Sequence, residues 1–447
     1  MFETLKNAFK VKEIRKKIFI TLLILLVYRI GCYIPVPGIS VDTFSSYVTE
    51  GSNNFLTLMS AVTGGALANG TLFALGIGPY INASIIIQLL CVGIPALERL
   101  SKQGEEGKKK IAQITRYLTL ALAIIQSIGI IINFANQSDA IRFSIFFDQQ
   151  WLAYIFMVIV YSAGAMLTMW LGERITEYGV GNGISLIIFI GILSTAGNIL
   201  VTNPIMGAVT GTDPTTGAAF DGIQTLISVI VFCVIAVVVF ALIVTVDLAE
   251  RRIPVQYAKQ VKGRKMYGGQ ATVIPIKISG SGVMPLIFAF AIISLPDLIM
   301  GLFWPNSSAY SSYQEWFSQG TGPLGWLYIL ILCLLIFAFS FFYAQIQFNP
   351  EDISKSIQQN GGFIPGIRPG RPTADYLKKI SNRITLFGAI FLSLVAFIPS
   401  LAFSFAGEQF VNVFSTTGIL IVVSVALEFD KQLQSQLMMK NYKGFLK

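Results

Sequence analysis

Residues 55–82 read FLTLMSAVTGGALANGTLFALGIGPYIN. The piece Phe55–Ala68 is apolar, yet a bilayer-spanning helix needs roughly 20 such residues at about 1.5 Å each. Gly64-Gly65 and Asn69-Gly70 interrupt it, and lipid offers no partner to the backbone groups such breaks release. The piece is therefore expected to be a half-helix folded back into protein, just ahead of a full span at 73–95. A bundle of other spans must shelter it.

The composition supplies that bundle. Of 447 residues, 54% are hydrophobic and only 12% charged, where soluble domains carry about 25%. Mean hydropathy is +0.69. Ten segments are long and apolar enough to span: 17–34, 73–95, 116–135, 151–171, 183–201, 222–246, 283–303, 324–347, 380–402 and 411–429. The fold class is thus an all-α polytopic membrane protein. The first run is not a cleavable signal, because Pro35-Val36-Pro37-Gly38 follows it instead of a small-x-small site. Before it, Phe2, Leu5, Phe9 and Ile14 alternate with Lys6, Lys10, Lys12, Arg15, Lys16 and Lys17, which reads as an interfacial helix on anionic lipid.

Orientation follows from the basic residues. Of 32 Lys and Arg, all but Arg29 and Arg142 fall in the leader, the tail and four alternate loops that share one face. The positive-inside rule makes that face cytosolic, with both termini on it. The net charge of +9 is chiefly a topology signal. The chain has no histidine, which removes His–metal sites and His general bases. Cys32, Cys91, Cys233 and Cys333 all lie in apolar spans without a C-x-x-C pair and read as buried thiols. No metal, cofactor or catalytic residues are expected. An enzyme would need a nucleophile–base pair, and none is visible.

A second interruption occurs at 279–287, SGSGVMPLI, at the head of the seventh span. If the chain is two five-span halves, this matches the place of the first interruption. Paired breaks of that kind point to the working site of an inverted-repeat membrane protein, although small residues also serve close helix packing. Asp247, Asp297 and Glu428 lie at span ends, and no carboxylate or lysine sits mid-span. Ion-coupled carriers place ionisable groups near the midplane, so a secondary transporter for a small solute is the weaker alternative. Arg29, near the outer end of the first span, is expected to snorkel.

Two cytosolic loops are long. Residues 247–279 hold β-like runs around Val255–Val261 and Ala271–Ile278 with a turn at Lys262–Lys265, a two-stranded finger with seven basic residues. It could meet RNA phosphates or an acidic protein face, or be an ordinary basic loop. Residues 349–379 open with Asn349-Pro350-Glu351-Asp352, a helix start. Asn360-Gly361-Gly362 ends that helix, and Pro365, Pro369 and Pro372 stiffen the segment that carries Arg368 and Arg371; Thr373 and Asp375 restart a helix. The glycines lack the spacing of a phosphate loop. Tyr178-Gly179-Val180-Gly181-Asn182-Gly183 is read as a tight turn, with an anion nest as the alternative.

GERITEYGVGNGISL (172–186), ALGIGPYINASIIIQLL (74–90), ERRIPVQYAKQ (250–260), QATVIPIKISGSGVMPLIFA (270–289) and NPEDISKSIQQNGGFIPGIRPG (349–370) closely resemble the SecY family, in order and over the whole chain. The resemblance implies a passive protein-conducting channel, a clamshell of two pseudo-symmetric halves, 1–201 and 202–447, hinged between the fifth and sixth spans. The half-helix near 55–72 corresponds to the family plug, with Phe55, Leu58, Met59, Gly64, Gly65 and Leu67. Pore-ring positions carry over to Ile81, Ile85, Ile188, Ile192, Ile287 and Ile421. An apolar ring of this kind resists wetting yet can seal around a passing chain. A lateral gate of spans 2 and 3 against 7 and 8 would involve Ser84, Gln88, Gln126, Ser281, Gly282 and Pro285. Docking of a SecA motor and of the ribosome, through rRNA and protein at its exit site, is implied for Arg251, Arg252, Lys262, Arg264, Lys265, Arg368 and Arg371. SecE and SecG subunits, signal peptides, nascent chains and membrane lipids are the remaining partners, and no cofactor is implied. Met284 before Pro285 departs from the isoleucine common in the family, and loops 202–221 and 304–323 match no motif.

Overall fold

The computed structural model of the chain describes residues 2–41, 45, 60, 63–135, 149–197, 222–257, 260–262, 265–267, 271–278, 284–293, 295–296, 299–300, 304, 307–317, 325–404 and 416–444. Helices α1 (Phe2–Lys10), α2 (Lys12–Gly31), α3 (Gly78–Gly93), α4 (Pro95–Lys102), α5 (Glu105–Ala135), α6 (Gln150–Tyr178) and α7 (Gly183–Gly197) come first. They are followed by α8 (Gly222–Leu248), α9 (Met284–Ile293), α10 (Ser308–Phe317), α11 (Gly325–Gln347), α12 (Pro350–Gln359), α13 (Arg371–Ser404) and α14 (Thr416–Gly444). Each of the ten expected spans carries one of these helices. Three stretches, Glu105–Ile132, Gln150–Tyr178 and Trp326–Gln359, are by themselves long and apolar enough to cross a bilayer. The pair α3–α4, bent by 106°, makes a fourth. The count of ten crossings rests on the sequence.

That bend has a local cause. Ile94 is extended (φ −109°, ψ 114°) because the following Pro95 disfavours helical backbone before it and has no N–H for the helical ladder. The chain turns there from α3 into α4.

Packing falls into two groups. In the first, α3 lies on α5, α5 on α6, α6 on α7, and α2 on α6; in the second, α9 lies on α11, α11 on α13, and α8 and α13 on α14. Helix α14 also packs on α7 and so joins the groups. The outer flanks stay apolar and exposed, as Leu22, Leu23 and Leu26 on α2 and Ile230, Val234 and Val237 on α8 illustrate. In lipid such surface needs no cover. Cys233 belongs to that exposed flank and Cys91 and Cys333 are half-buried, so of the four free thiols expected to be buried Cys32 alone is.

The leader differs from expectation. Instead of lying on the surface alone, α1 packs against α14, with Ala8 fully buried beside Ile14, Ile18, Val180 and Leu433. An amphipathic stripe looks the same whether lipid or protein covers it.

Outside the bundle, β1 (Glu250–Tyr257) pairs antiparallel with β4 (Ala271–Lys277), Glu250 opposite Lys277 and Gln256 opposite Ala271. A small hairpin, β2 (Gln260–Lys262) with β3 (Lys265–Tyr267), continues the finger. Strand β5 (Gly362–Phe363) comes from the other long loop and pairs with the far edge of β1 through Gln256–Phe363 and Tyr257–Gly362. The two loops are therefore one body. Its own core holds Ile253, Val255, Ile276, Ile357, Ile364 and Leu377.

Candidate functional site

Six isoleucines converge where the two groups of helices meet. Ile188 and Ile192 on α7 and Ile421 on α14 are buried in one apolar cluster with Tyr28, Phe73 and Leu186. Ile85 on α3 is buried in another with Leu286, Phe288 and Ile336. Ile81 on α3 and Ile287 on α9 pack against both clusters. Helix α14 comes close to α7 because Gly418 presents no side chain: a Cβ there would lie 3.2 Å from Ile192.

A cavity of about 660 Å³ reaches this girdle. Ile188, Ile287 and Ile421 line it together with Asn182, Ser185, Asp247, Lys277, Glu428 and Lys431. The polar and charged lining comes from the start of α7, the end of α8, strand β4 and the middle of α14; Ile188, Ile287 and Ile421 supply apolar lining from α7, α9 and α14. Asp247 and Lys431 pair at 3.7 Å within it. A polar-lined cavity that meets branched aliphatic side chains has the chemistry of a hydrophobic constriction, the kind that gates water and ions by dewetting.

The interrupted segment packs into the same cluster as Ile188, Ile192 and Ile421 through Ala66 and Phe73. Of the sequence-predicted plug residues, Phe55, Leu58 and Met59 fall outside the described residues. Ser60 and Thr63 are helical, and 64–77 is a run of turns. Gly65 N–H donates to Ser60 O at 2.8 Å and Thr71 Oγ1 to Ala66 O at 3.0 Å. Val36 N–H reaches Gly70 O and Leu72 N–H reaches Ile34 O, both at 3.0 Å, so the segment is stitched to the end of the first span. Leu67 is buried and Gly65 half-buried. Two glycines are required by space. Gly164 on α6 would place a Cβ 1.9 Å from Leu72 O, and Gly64, at φ +70°, would place one 2.9 Å from Gly191 O on α7.

Arg29 corrects the sequence reading. Its guanidinium turns into the bundle, where Nη2 donates to Gly64 O and Tyr33 Oη, each at 3.2 Å, and to Ser194 Oγ on α7. It does so because the broken segment leaves carbonyls without helical partners, and a buried carbonyl recruits a donor.

The gate residues are partly joined. Gln88 Nε2 donates to Ser84 Oγ at 3.1 Å, and Tyr343 Oη on α11 donates to Gln88 Oε1. This bond ties α3 to α11, and Tyr343 also stands 5.0 Å, ring to ring, from Phe288 on α9. Tyr343 was not singled out from sequence, since a tyrosine near a span end usually marks an interface. Gln126 is buried with Oε1 unpartnered, and Pro285 is buried; Ser281 and Gly282 lie outside the described residues.

Comparisons with known proteins bear on all of this. The SecY family model matches residues 71–429. The chain is 43% identical over 453 residues to the protein translocase subunit SecY of Streptomyces galbus, with all of both chains covered. The chain belongs to the SecY family. The SecY of Corynebacterium glutamicum is 40% identical over 458 residues, with 99% of each chain covered. Among solved structures, one described as a protein conducting channel superposes with a TM-score of 0.65 at 20% identity, over 94% of this chain and 92% of that one. Sec61 in the canine ribosome-channel complex does so at 0.60 and 18%, with the same coverage. Both likenesses are of fold.

In this SecY-family chain the docking candidates are spread over the joint β1–β4–β5 body. Arg251 and Arg252 are exposed on β1, and Arg252 Nε pairs with Glu250 Oε1 at 2.7 Å. Arg368 and Arg371 are exposed as well. Asn349 Oδ1 accepts from Glu351 N–H at 3.2 Å and caps α12 as expected. The tip beyond is fixed by Ser354 Oγ on Gly370 O at 2.6 Å and by Thr373 Oγ1 on Arg368 O at 2.8 Å. Thr373 thus braces the tip, while α13 begins two residues earlier, at Arg371. Lys262 and Lys265 close the β2–β3 hairpin; Arg264 lies outside the described residues. At 178–183 the turn reading is supported: Val180 N–H donates to Thr21 Oγ1, Gly183 N–H to Thr176 Oγ1 and Ile184 N–H to Asn182 Oδ1, which occupies the donors an anion would use.

Proposed function

We propose that this chain is the protein-conducting subunit of a translocase, passing unfolded secretory chains through the isoleucine girdle and releasing hydrophobic segments sideways into lipid. The observation that carries the reading is the girdle itself: six isoleucines from four helices between a polar vestibule and a folded-back segment. A ring of flexible aliphatic side chains grips no substrate strongly, so it can close around any chain and still let it leave. A small-solute transporter would need a polar binding site and coupling charges at that level, and the girdle offers neither. The solved plug-bearing SecY whose plug is described as stabilising the closed state and maintaining a membrane seal supports the same role for the segment around 55–72.

In this reading the halves 1–201 and 202–447 open about the α7–α8 connection, and the gate lies between α3 and α5 on one side and α9 and α11 on the other. The membrane is the cytoplasmic one, with both termini and the β1–β4–β5 body in the cytosol. That body offers Arg251, Arg252, Arg368 and Arg371 to a SecA motor or to a ribosome; ribosome-bound relatives support the second. SecE and SecG complete the complex. The test is reconstitution of the purified complex with a motor in vesicles. Import of a secretory precursor into a protease-protected space is expected; counterflow of a small solute without precursor import would contradict the proposal.

A further inference from the structure

Arg29 lies at a junction of three elements. Its Nη2 reaches Gly64 O of the mouth segment, Ser194 Oγ of α7 and Tyr33 Oη beyond α2, and its Cζ stands 5.1 Å over the Tyr33 ring. Among the described residues no carboxylate pairs with it, and Nη1 has no acceptor. A guanidinium half out of water and held by neutral groups, chiefly oxygens, is stable only while those oxygens are in place. One of them, Gly64 O, belongs to a segment without regular helical bonding. The charge also sits near the outer end of its span, where a long side chain can turn to water. Two positions are therefore open to Arg29: inward, bonded to Gly64 and Ser194, or outward, hydrated. The first exists only with the mouth segment seated against α7.

We infer that Arg29 is the positioning residue that latches the mouth segment 63–77 onto α7 in the resting channel, and that displacement of the segment is coupled to rotation of the guanidinium outward. The inference rests on the segment being the seal. Losing the latch lowers the cost of opening, so a weaker trigger suffices and the resting channel leaks.

The experiment measures ion conductance of the reconstituted resting complex and export of a precursor with an impaired signal sequence. Arg29→Ala is expected to raise conductance by about tenfold, the factor one charge-assisted hydrogen bond supplies. Export through an impaired signal should rise by a similar factor, and export of a normal precursor should stay within about twofold, since the girdle is intact. Arg29→Lys should recover part of the seal. Ser194→Ala should leak less than Arg29→Ala, and the double variant no more than Arg29→Ala alone, because both remove one interaction. If Arg29→Ala does not accumulate, Gly64→Ala reports instead: its Cβ falls 2.5 Å from Nη1 and should break the same seat. A stable Arg29→Ala channel with unchanged conductance and unchanged impaired-signal export overturns the latch. Deletion of residues 55–70 separates the two claims. A leaky deletion beside a tight Arg29→Ala channel refutes the latch alone; a tight deletion refutes the seal and the latch with it.

Discussion

The mouth segment 63–77 and the loop tip 361–372 look alike in sequence. Both are glycine-rich, both contain glycines with positive φ, and both interrupt a helical protein. Their anchors differ. At its base the tip is paired to β1 through Gly362 and Phe363, but beyond that it is closed by near neighbours: Ser354 to Gly370, Thr373 to Arg368, and Ile367 N–H to Ile364 O at 3.0 Å. The mouth also has local turns, but its seat depends on Arg29, 35 residues from Gly64, and on helices α6 and α7. Locally closed bonds move with the segment and keep its shape. Long-range bonds must break when it moves. The first arrangement presents a fixed surface to a partner, and the second makes a part that can be released as a unit.

Substitutions can separate these two behaviours. The largest effect is expected for Gly164→Val, which drives a side chain into Leu72 O at a site with no room. Backbone overlap of this kind costs more than about 4 kcal/mol, so folded yield on fluorescence-detected gel filtration should collapse. At the tip, the combined reversal Arg251→Glu, Arg252→Glu and Arg368→Glu should lower co-sedimentation with ribosomes or motor by at least about tenfold and leave thermal stability unchanged. Intact binding and secretion would remove the docking assignment. Replacing Ile81, Ile192 and Ile287 together by glycine should raise resting conductance several-fold without abolishing export; unchanged conductance would end the gasket account. The smallest effect is expected for Ser354→Ala with Thr373→Val. Each loses one hydrogen bond of about 1 kcal/mol, so docking should weaken a few-fold while the resting seal is unaffected. A leak in this variant would show that tip and mouth are not independent.

Local rules made much of the fold legible. Apolar runs located the helices, Asn349 announced its cap, and the β-like runs at Val255–Val261 and Ala271–Ile278 announced the finger, although its first strand begins earlier, at Glu250. The pairing of β5 with β1 was not legible, because a two-residue strand has no periodicity of its own. The inward turn of Arg29, the burial of Ala8 against α14 and the Tyr343–Gln88 bond are tertiary facts between residues far apart in sequence. The isoleucine girdle is a similar case. Nothing in a run of isoleucines separates one that faces a channel from one that faces lipid, and only the resemblance to a family picked out these six. In the structure Ile188, Ile192 and Ile421 share one buried cluster, Ile85 belongs to a second, and Ile81 and Ile287 pack against both.

The central claim is that a substrate chain passes through that girdle. A photoreactive amino acid placed at Ile192 or Ile421, and at exposed Val234 as a control, would be irradiated with a secretory chain stalled in transit. The account predicts crosslinks from both girdle positions and none from Val234. Equal labelling at Val234, or none at the girdle in a complex shown to hold the stalled chain, would contradict it.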